Sequence, residues 1–420
     1  MEHSVSPLQA PGGYLFRARE RHPMTEYYRH DRALRGQIRS VLNFYYPTCI
    51  DTHLGGYVGQ LDERRGHVYD GSTKHIVATT RFIHNFALGA MLDGPDWCRP
   101  AAEHGLAFLE SGHWDPDHGG YDWILDGRET SDATRYCYGH AFVMLAGARA
   151  HQAGLPDARR HIERAADSID EHFWEPEHGL CATEATPDWS TLDSYRGQNA
   201  NMHTCEAMLA AYEATGEDRF LERSLTIADS LTRDVAAATD GRLWEHFDPD
   251  WSPDREYNRD DPDHQFRPWG YQAGHHVEWT KLLLLLYEQT GEAWLPDRAE
   301  ELFETAIDLG WDDEHGGFYY TAEADGTPVN PDKYSWPVTE AIGAAALLAD
   351  VVDSSYGEWY DRLWRYADAH FVNPRHGNWY ERLIRGHERD GPNHGPVVEP
   401  GYHPINNAWV AMGVFGSGGT

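Results

Sequence analysis

An aromatic residue, acidic residues or proline, then glycine and a second aromatic or apolar residue form a loop signature that recurs along the chain. Its period constrains the fold more than any other feature. The copies read His53-Leu54-Gly55-Gly56-Tyr57, Trp114-Asp115-Pro116 to Gly119-Gly120-Tyr121, Trp174-Glu175-Pro176 to Gly179-Leu180, Trp311-Asp312 to Gly316-Gly317-Phe318, and Phe371 to Gly377-Asn378-Trp379. A weaker copy spans Asp240-Gly241-Arg242-Leu243-Trp244. Successive copies lie about 60 to 75 residues apart, which makes six units.

Each unit offers two helices. Ile162, Ala165, Ile169 and Phe173 recur at helical spacing with charge on the other face, and Trp359, Leu363, Tyr366 and His370 repeat that pattern. These predict outer helices. The runs 138–150, 203–215, 275–290 and 337–352 are apolar on most sides and predict inner ones. Thr215-Gly216-Glu217 and Thr290-Gly291-Glu292 join the two kinds, with glycine suited to the left-handed position that ends a helix. About twelve helices in six pairs close into a toroid, an all-α (α/α)6 barrel with long loops or short hairpins at its mouth. One domain over 1–420 is expected, with 1–25 as an N-terminal extension.

Charge narrows the partners. A formal net charge of -33 argues against nucleic acid and anionic membranes, both of which need a basic footprint. Lysine occurs only at 74, 281 and 333, so nearly all positive charge is arginine. That balance is similar to proteins that work in concentrated salt, where self-repulsion is screened; an ordinary acidic protein is the plainer alternative. No apolar run in Met1 to Glu20 suits a signal peptide, and none elsewhere is long enough to span a bilayer, so a cytoplasmic protein is expected. Five cysteines without a CxxC predict buried free thiols.

Polar residues that helix interiors rarely need fall near the starts of inner helices: His203, His275, Glu340 and His403, with Arg81 a turn or so into its helix. If the inner helices run parallel, these converge on one mouth, whose helix N-termini favour developing negative charge. His275 and Glu278 are three apart, so the carboxylate is expected to orient the imidazole; His203 and Glu206 repeat the spacing one unit earlier. The same phase favours His275 over its neighbour His276. Trp336 is expected beside the mouth, with Trp269, Trp279 and Trp379 as further aromatic walls. No HExxH, P-loop or GxGxxG context appears, so neither metal nor cofactor is expected.

Taken together, Arg81 in its helix, Asn201-Met202-His203-Thr204-Cys205-Glu206-Ala207, Ala273-Gly274-His275-His276-Val277-Glu278-Trp279, Trp336-Pro337-Val338-Thr339-Glu340-Ala341 and Tyr402-His403 resemble the N-acylglucosamine 2-epimerase superfamily, especially its mannose isomerase and sulfoquinovose isomerase branch. The resemblance implies an (α/α)6 barrel, metal-free proton transfer through an enediol, and two essential histidines at His275 and His403. It further implies that Arg81 holds substrate oxygen, that His203 and Glu206 line the sugar site, and that Glu278 supports His275; Trp336 and Glu340, at the same mouth, are expected on the substrate as well. Glu-Trp followed by Thr-Lys-Leu-Leu resembles the aldose-ketose isomerases more than the epimerases.

The expected activity is therefore isomerisation of a monosaccharide such as mannose to a ketose, by a monomer or homodimer. A 2-epimerase differs only in where the proton returns. An (α/α)6 glycoside hydrolase would need a carboxylate pair at the mouth, and a sugar-binding protein would have no need for the two histidines.

Overall fold

The structure, a computed structural model, describes residues 27–389 and 398–416; the expected extension 1–25 lies outside them. Among the described residues twelve α-helices alternate between two rings. The inner ring is α2 (Ile76–Met91), α4 (Cys137–Gln152), α6 (Gln198–Thr215), α8 (Ala273–Thr290), α10 (Ser335–Val351) and α12 (Tyr402–Phe415). The outer ring is α1 (Asp31–Tyr45), α3 (Cys98–Phe108), α5 (Ala158–Ser168), α7 (Asp218–Asp229), α9 (Trp294–Gly310) and α11 (Gly357–His370). This is the (α/α)6 barrel. Burial separates the rings as the periodicity requires: α8 and α10 are buried over nearly their whole length, whereas α5 buries one stripe, Ala158, His161, Ile162, Ala165, Ala166 and Ser168.

Closure joins residues far apart in sequence. The segment before α1 is tied to α11 by Tyr28 Oη donating to Asp368 (2.9 Å), Arg29 pairing with Asp361 (3.0 Å) and Tyr360 Oη donating to the Tyr28 carbonyl (2.6 Å). Gly216 and Gly291 take left-handed backbone (φ 72° and 68°) and end α6 and α8, as the sequence predicts. All five cysteines are buried and unpaired.

The recurring loops are tight reversals closed by short antiparallel bridges, at Ile50 with Tyr57, Trp114 with Tyr121, Trp174 with Cys181, Trp311 with Phe318 and Val372 with Trp379. The weak copy at 240–244 differs: a 3-10 turn, Ala236–Thr239, leads into it. In four loops the acidic residue reaches a buried cation on the strand entering the next inner helix: Asp51 to Lys74 (2.7 Å), Asp115 to Arg135, Glu175 to Arg196 (2.6 Å) and Asp312 to Lys333 (3.0 Å). In these four loops the signature is thus a clamp that holds the loop against the start of an inner helix. These starts share one end of the barrel, where short hairpins form the mouth.

Candidate active site

A cavity of about 430 Å³ opens at that mouth, lined among others by Arg81, His203, His275, Glu278, Trp336 and His403. It forms in two tiers because equivalent positions of the inner helices face the axis together. Arg81, His203, Glu278 and Glu340 are each the sixth residue of their helices and make the lower tier. His275 is the third residue of α8, and Trp336 and His403 are the second residues of α10 and α12. They stand a turn nearer the opening. Trp336 lies against both histidines, with ring centroids 5.1 Å from His275 and 5.8 Å from His403.

Each of these two imidazoles is held by a carboxylate at Nδ1. His403 Nδ1 is 2.6 Å from Glu340 Oε1, and Glu340 Oε2 receives Lys281 Nζ at 2.5 Å. His275 Nδ1 lies 3.0 and 2.9 Å from the two oxygens of Glu245. A charged carboxylate only accepts, so Nδ1 of His403 carries the proton and leaves its Nε2 lone pair to the cavity, and the two Glu245 oxygens favour the same tautomer of His275. Gln198 flanks the second pair: its Oε1 accepts from Trp279 Nε1 (3.0 Å), which turns its amide NH2 toward both Glu245 Oε2 (3.0 Å) and His275 Nδ1 (2.7 Å).

The expected partner of His275 is therefore wrong. Glu245 orients it, and Glu278 stands a turn deeper with its Oε1 unbonded. Burial, then the neighbouring Glu340 charge, pushes the Glu278 carboxyl well above the usual carboxylate range. Burial opposes ionisation of Glu340 and Glu245 as well, but Lys281 with His403 holds the first low and His275 holds the second low. Glu340, expected on substrate, sits at 0% exposure behind His403. His276 is excluded from the cavity: its Nδ1 donates to the Gln272 carbonyl (2.8 Å) and its Nε2 accepts from Leu243 N (3.0 Å).

The other His-x-x-Glu pair does form. His203 Nδ1 is 3.0 Å from Glu206 Oε2, and Glu206 Oε1 accepts from Tyr402 Oη at 2.8 Å. Burial lowers the His203 imidazole to about 4, so it stands neutral. Glu206 would be raised by burial, but Lys281 and His203 hold it below its ordinary value. Arg81 lies over the rings of both Phe142 and Tyr402 (4.6 and 4.9 Å), which themselves meet edge to face. Its guanidinium pairs with Glu399 (2.8 Å), donates to the Val398 carbonyl and lies 3.4 Å from His403 Nε2.

Of the four tryptophans expected as walls, only Trp336 lines the cavity. Trp279 is fully buried behind Gln198, Trp379 packs against Trp364, and Trp269 donates to the Arg255 carbonyl. Tyr138, Phe266, Tyr320 and Tyr334 supply the aromatic lining instead. Sequence reasoning missed Glu245, Gln198, Glu399 and Lys281. Glu245 directly follows the weak loop copy, and Lys281 is one of three lysines; those were the available signals.

Two groups could hold a metal ion by geometry, His203 with Glu206 and Glu278, and Glu278 with Glu340 and His403. Lys281 Nζ already stands among their carboxylates, 2.5 Å from Glu340, 3.8 Å from Glu206 and 4.0 Å from Glu278. An ion there would meet a fixed positive charge.

Comparisons with known proteins give the family. The family model of N-acylglucosamine 2-epimerase (GlcNAc 2-epimerase) matches residues 56–405. The chain is 41% identical over 381 residues to the D-mannose isomerase of Marinomonas mediterranea, covering 90% of this chain and 96% of that protein. To the D-mannose isomerase of Thermobifida fusca it is 42% identical over 304 residues, 71% of this chain and 74% of that protein. A crystal structure of D-mannose isomerase superposes with a TM-score of 0.89 at 39% identity, covering 92% of this chain and 98% of the other. The chain belongs to the N-acylglucosamine 2-epimerase family.

Proposed function

We propose that the protein is an aldose-ketose isomerase that converts D-mannose to D-fructose by proton transfer between two histidines and an enediol. The observation that carries this is the pair of imidazoles, His275 and His403, each held at Nδ1 by a buried carboxylate and presenting Nε2 to one cavity beside Arg81. The two relatives named above, both D-mannose isomerases, support the choice of sugar.

In the proposed reaction His275 moves protons at O1 and O2 and assists ring opening. His403 Nε2 takes the C2 proton, and the electron pair left behind forms the enediolate. Glu340 stabilises the resulting imidazolium, as a carboxylate behind a general base does. Arg81, packed on two rings and always charged, would face the developing oxyanion. Return of the proton by His403 to C1 on the same face yields the ketose; return to C2 from the other face yields the epimer. Glu206 and Glu340 are hydrogen-bonded to histidines at the floor, an arrangement that disfavours casting them as a hydrolase's carboxylate pair.

The lining also favours an uncharged sugar. Glu63, Asp263 and Glu399 stand in the lining with Arg81 and Arg382, and burial already disfavours negative charge on Glu278 and Glu381, so a sugar phosphate would bring charge into a lining that resists more of it. We read the reaction as metal-independent, since Lys281 and Arg81 supply the positive charge at the floor and at the oxyanion. Among the described residues no helix is long and apolar enough to cross a membrane.

The test is a panel of aldoses, including mannose, glucose, N-acetylglucosamine and mannose 6-phosphate, followed by NMR in deuterium oxide with and without EDTA. Mannose should give fructose, labelled at C1 to the extent that the base exchanges its proton, and EDTA should change nothing. A 2-epimer as the sole product, or loss with chelator restored by one metal, would overturn the reading.

A further inference from the structure

We propose that Lys281 is a positioning residue for the reaction: acting through Glu340, it keeps His403 in the form whose Nε2 is free to accept a proton. This rests on the reading of His403 as the base.

Lys281 is the ninth residue of α8 and its side chain is 0% exposed. An ammonium group only donates, and the 2.5 Å contact to Glu340 Oε2 commits one N–H to that oxygen. Glu340 Oε1 is shared by His403 Nδ1 (2.6 Å) and Asn407 Nδ2 (2.7 Å). Three donors thus surround this carboxylate, two on Oε1 and the ammonium on Oε2, and all of them favour its charged form. Glu340 remains charged, and the single proton between it and His403 stays on Nδ1.

Without the ammonium charge, Glu340 and His403 together would hold a second proton. It would go either to Nε2, making an imidazolium that cannot act as base, or to Glu340, whose O–H would donate to Nδ1 and put the remaining imidazole proton on Nε2. Both outcomes remove the free lone pair until the pH rises far enough to take that proton away.

The remaining charged and titratable groups around the pair do not replace Lys281. Arg81 on α2 and Glu399 at the mouth approach His403 Nε2, 3.4 and 3.6 Å away. Tyr138 Oη on α4 accepts from Arg81, while His203 and Glu206 on α6 bond each other. Glu278 on α8 and Tyr402 on α12 complete the shell. None of these besides Lys281 places a cation on Glu340.

The experiment is the pH dependence of kcat/KM for wild type, Lys281→Met and Lys281→Arg, with the aldose found active in the panel. In Lys281→Met the acidic limb should move up by about one pH unit or more, with turnover recovering at alkaline pH. Lys281→Arg should leave the limb near its wild-type position. A loss of equal size at every pH would mean a merely structural ion pair and would overturn the proposal.

A second measurement needs only the wild-type fold. Lysine labelled with 15N at Nζ gives three signals, since the chain has three lysines. One should shift with the midpoint of the acidic limb, and that inflection should vanish in His403→Gln. Three signals flat across the limb would overturn the proposal. Near-normal turnover of His403→Gln would instead remove His403 as the base, so the two readings fail separately.

Discussion

His203-x-x-Glu206 and His275-x-x-Glu278 have the same spacing one repeat apart, and only the first is a pair. His203 stands sixth in α6, whereas His275 stands third in α8, so the two histidines lie a turn apart in depth. The residue level with His203 is Glu278. Spacing of three on a helix allows contact but does not compel it. His203 has Glu206 as its carboxylate neighbour; His275, nearer the mouth, meets Glu245 from the segment after α7. A motif read along one chain segment thus loses to a partner supplied by another, and depth in the barrel decides which partner is in reach.

The largest test of this contrast is turnover. His275→Ala and His403→Ala should each lower kcat by roughly a hundredfold or more with the fold retained, as for a lost general acid-base group. Near-normal kcat in either variant would dissolve the distinction between upper-tier and lower-tier histidines.

A double-mutant cycle then separates the rival carboxylates. Glu245→Gln should cost at least about tenfold in kcat by loosening the tautomer of His275, and should add little once His275 is alanine. Glu278→Gln, in the same cycle, should combine with His275→Ala almost multiplicatively. The opposite pattern would restore the pairing expected from spacing.

The two glutamates should also differ in sign against pH. Glu206 is held below its ordinary value, near 4.5, so its contribution is present above that pH and is lost as pH falls through the folded value. Glu206→Gln should cost about 3 kcal/mol near neutrality by leaving buried partners uncompensated, and less in acid. Glu278 is pushed upward, so stability is complete below its ordinary value and declines as pH rises and the unfolded chain ionises first. Glu278→Gln should therefore flatten the fall in Tm between about pH 5 and 8. Parallel Tm profiles for the two variants would contradict these environments.

Much of the barrel was legible because its determinants are local. The glycine-bearing loops, the one-sided stripes of α5 and α11, and the apolar runs of α8 and α10 each declare themselves within a short window. His275, His403 and Arg81 were legible as polar residues at odds with those runs. Two things were not. The inner helices begin earlier than their apolar runs suggest, at Gln198 rather than near His203, which hid the two-tier register. Partners that reach across the ring also leave no trace in spacing, as with Glu245 for His275 and Lys281 for Glu340, 30 and 59 residues apart. The same blindness placed Trp279 and Trp379 in the wall when both are packed behind it.

The smallest effect per site, though it sums over the surface, is screening. With 68 acidic residues against 35 basic ones, like charges repel across the folded surface, and the Debye length is about 30 Å at 0.01 M salt but about 3 Å at 1 M. All three lysines are buried in ion pairs, so the exposed cations are arginines, many in pairs such as Arg159 with Glu163, which contribute little each. Dilute buffer thus leaves net repulsion that the unfolded chain relieves by expanding. We expect Tm to rise from low to molar potassium chloride, and neutral osmolyte at equal osmotic strength to restore less. The buried His203 and Glu206 pair, 4% and 8% exposed at the side chain, is shielded from ions by the barrel itself. The difference in Tm between wild type and Glu206→Gln should accordingly stay constant while both melting curves move upward with salt. A Tm flat across that range would remove the salt-adapted reading of the surface, and a difference that shrinks with salt would show that solvent ions reach the lower tier.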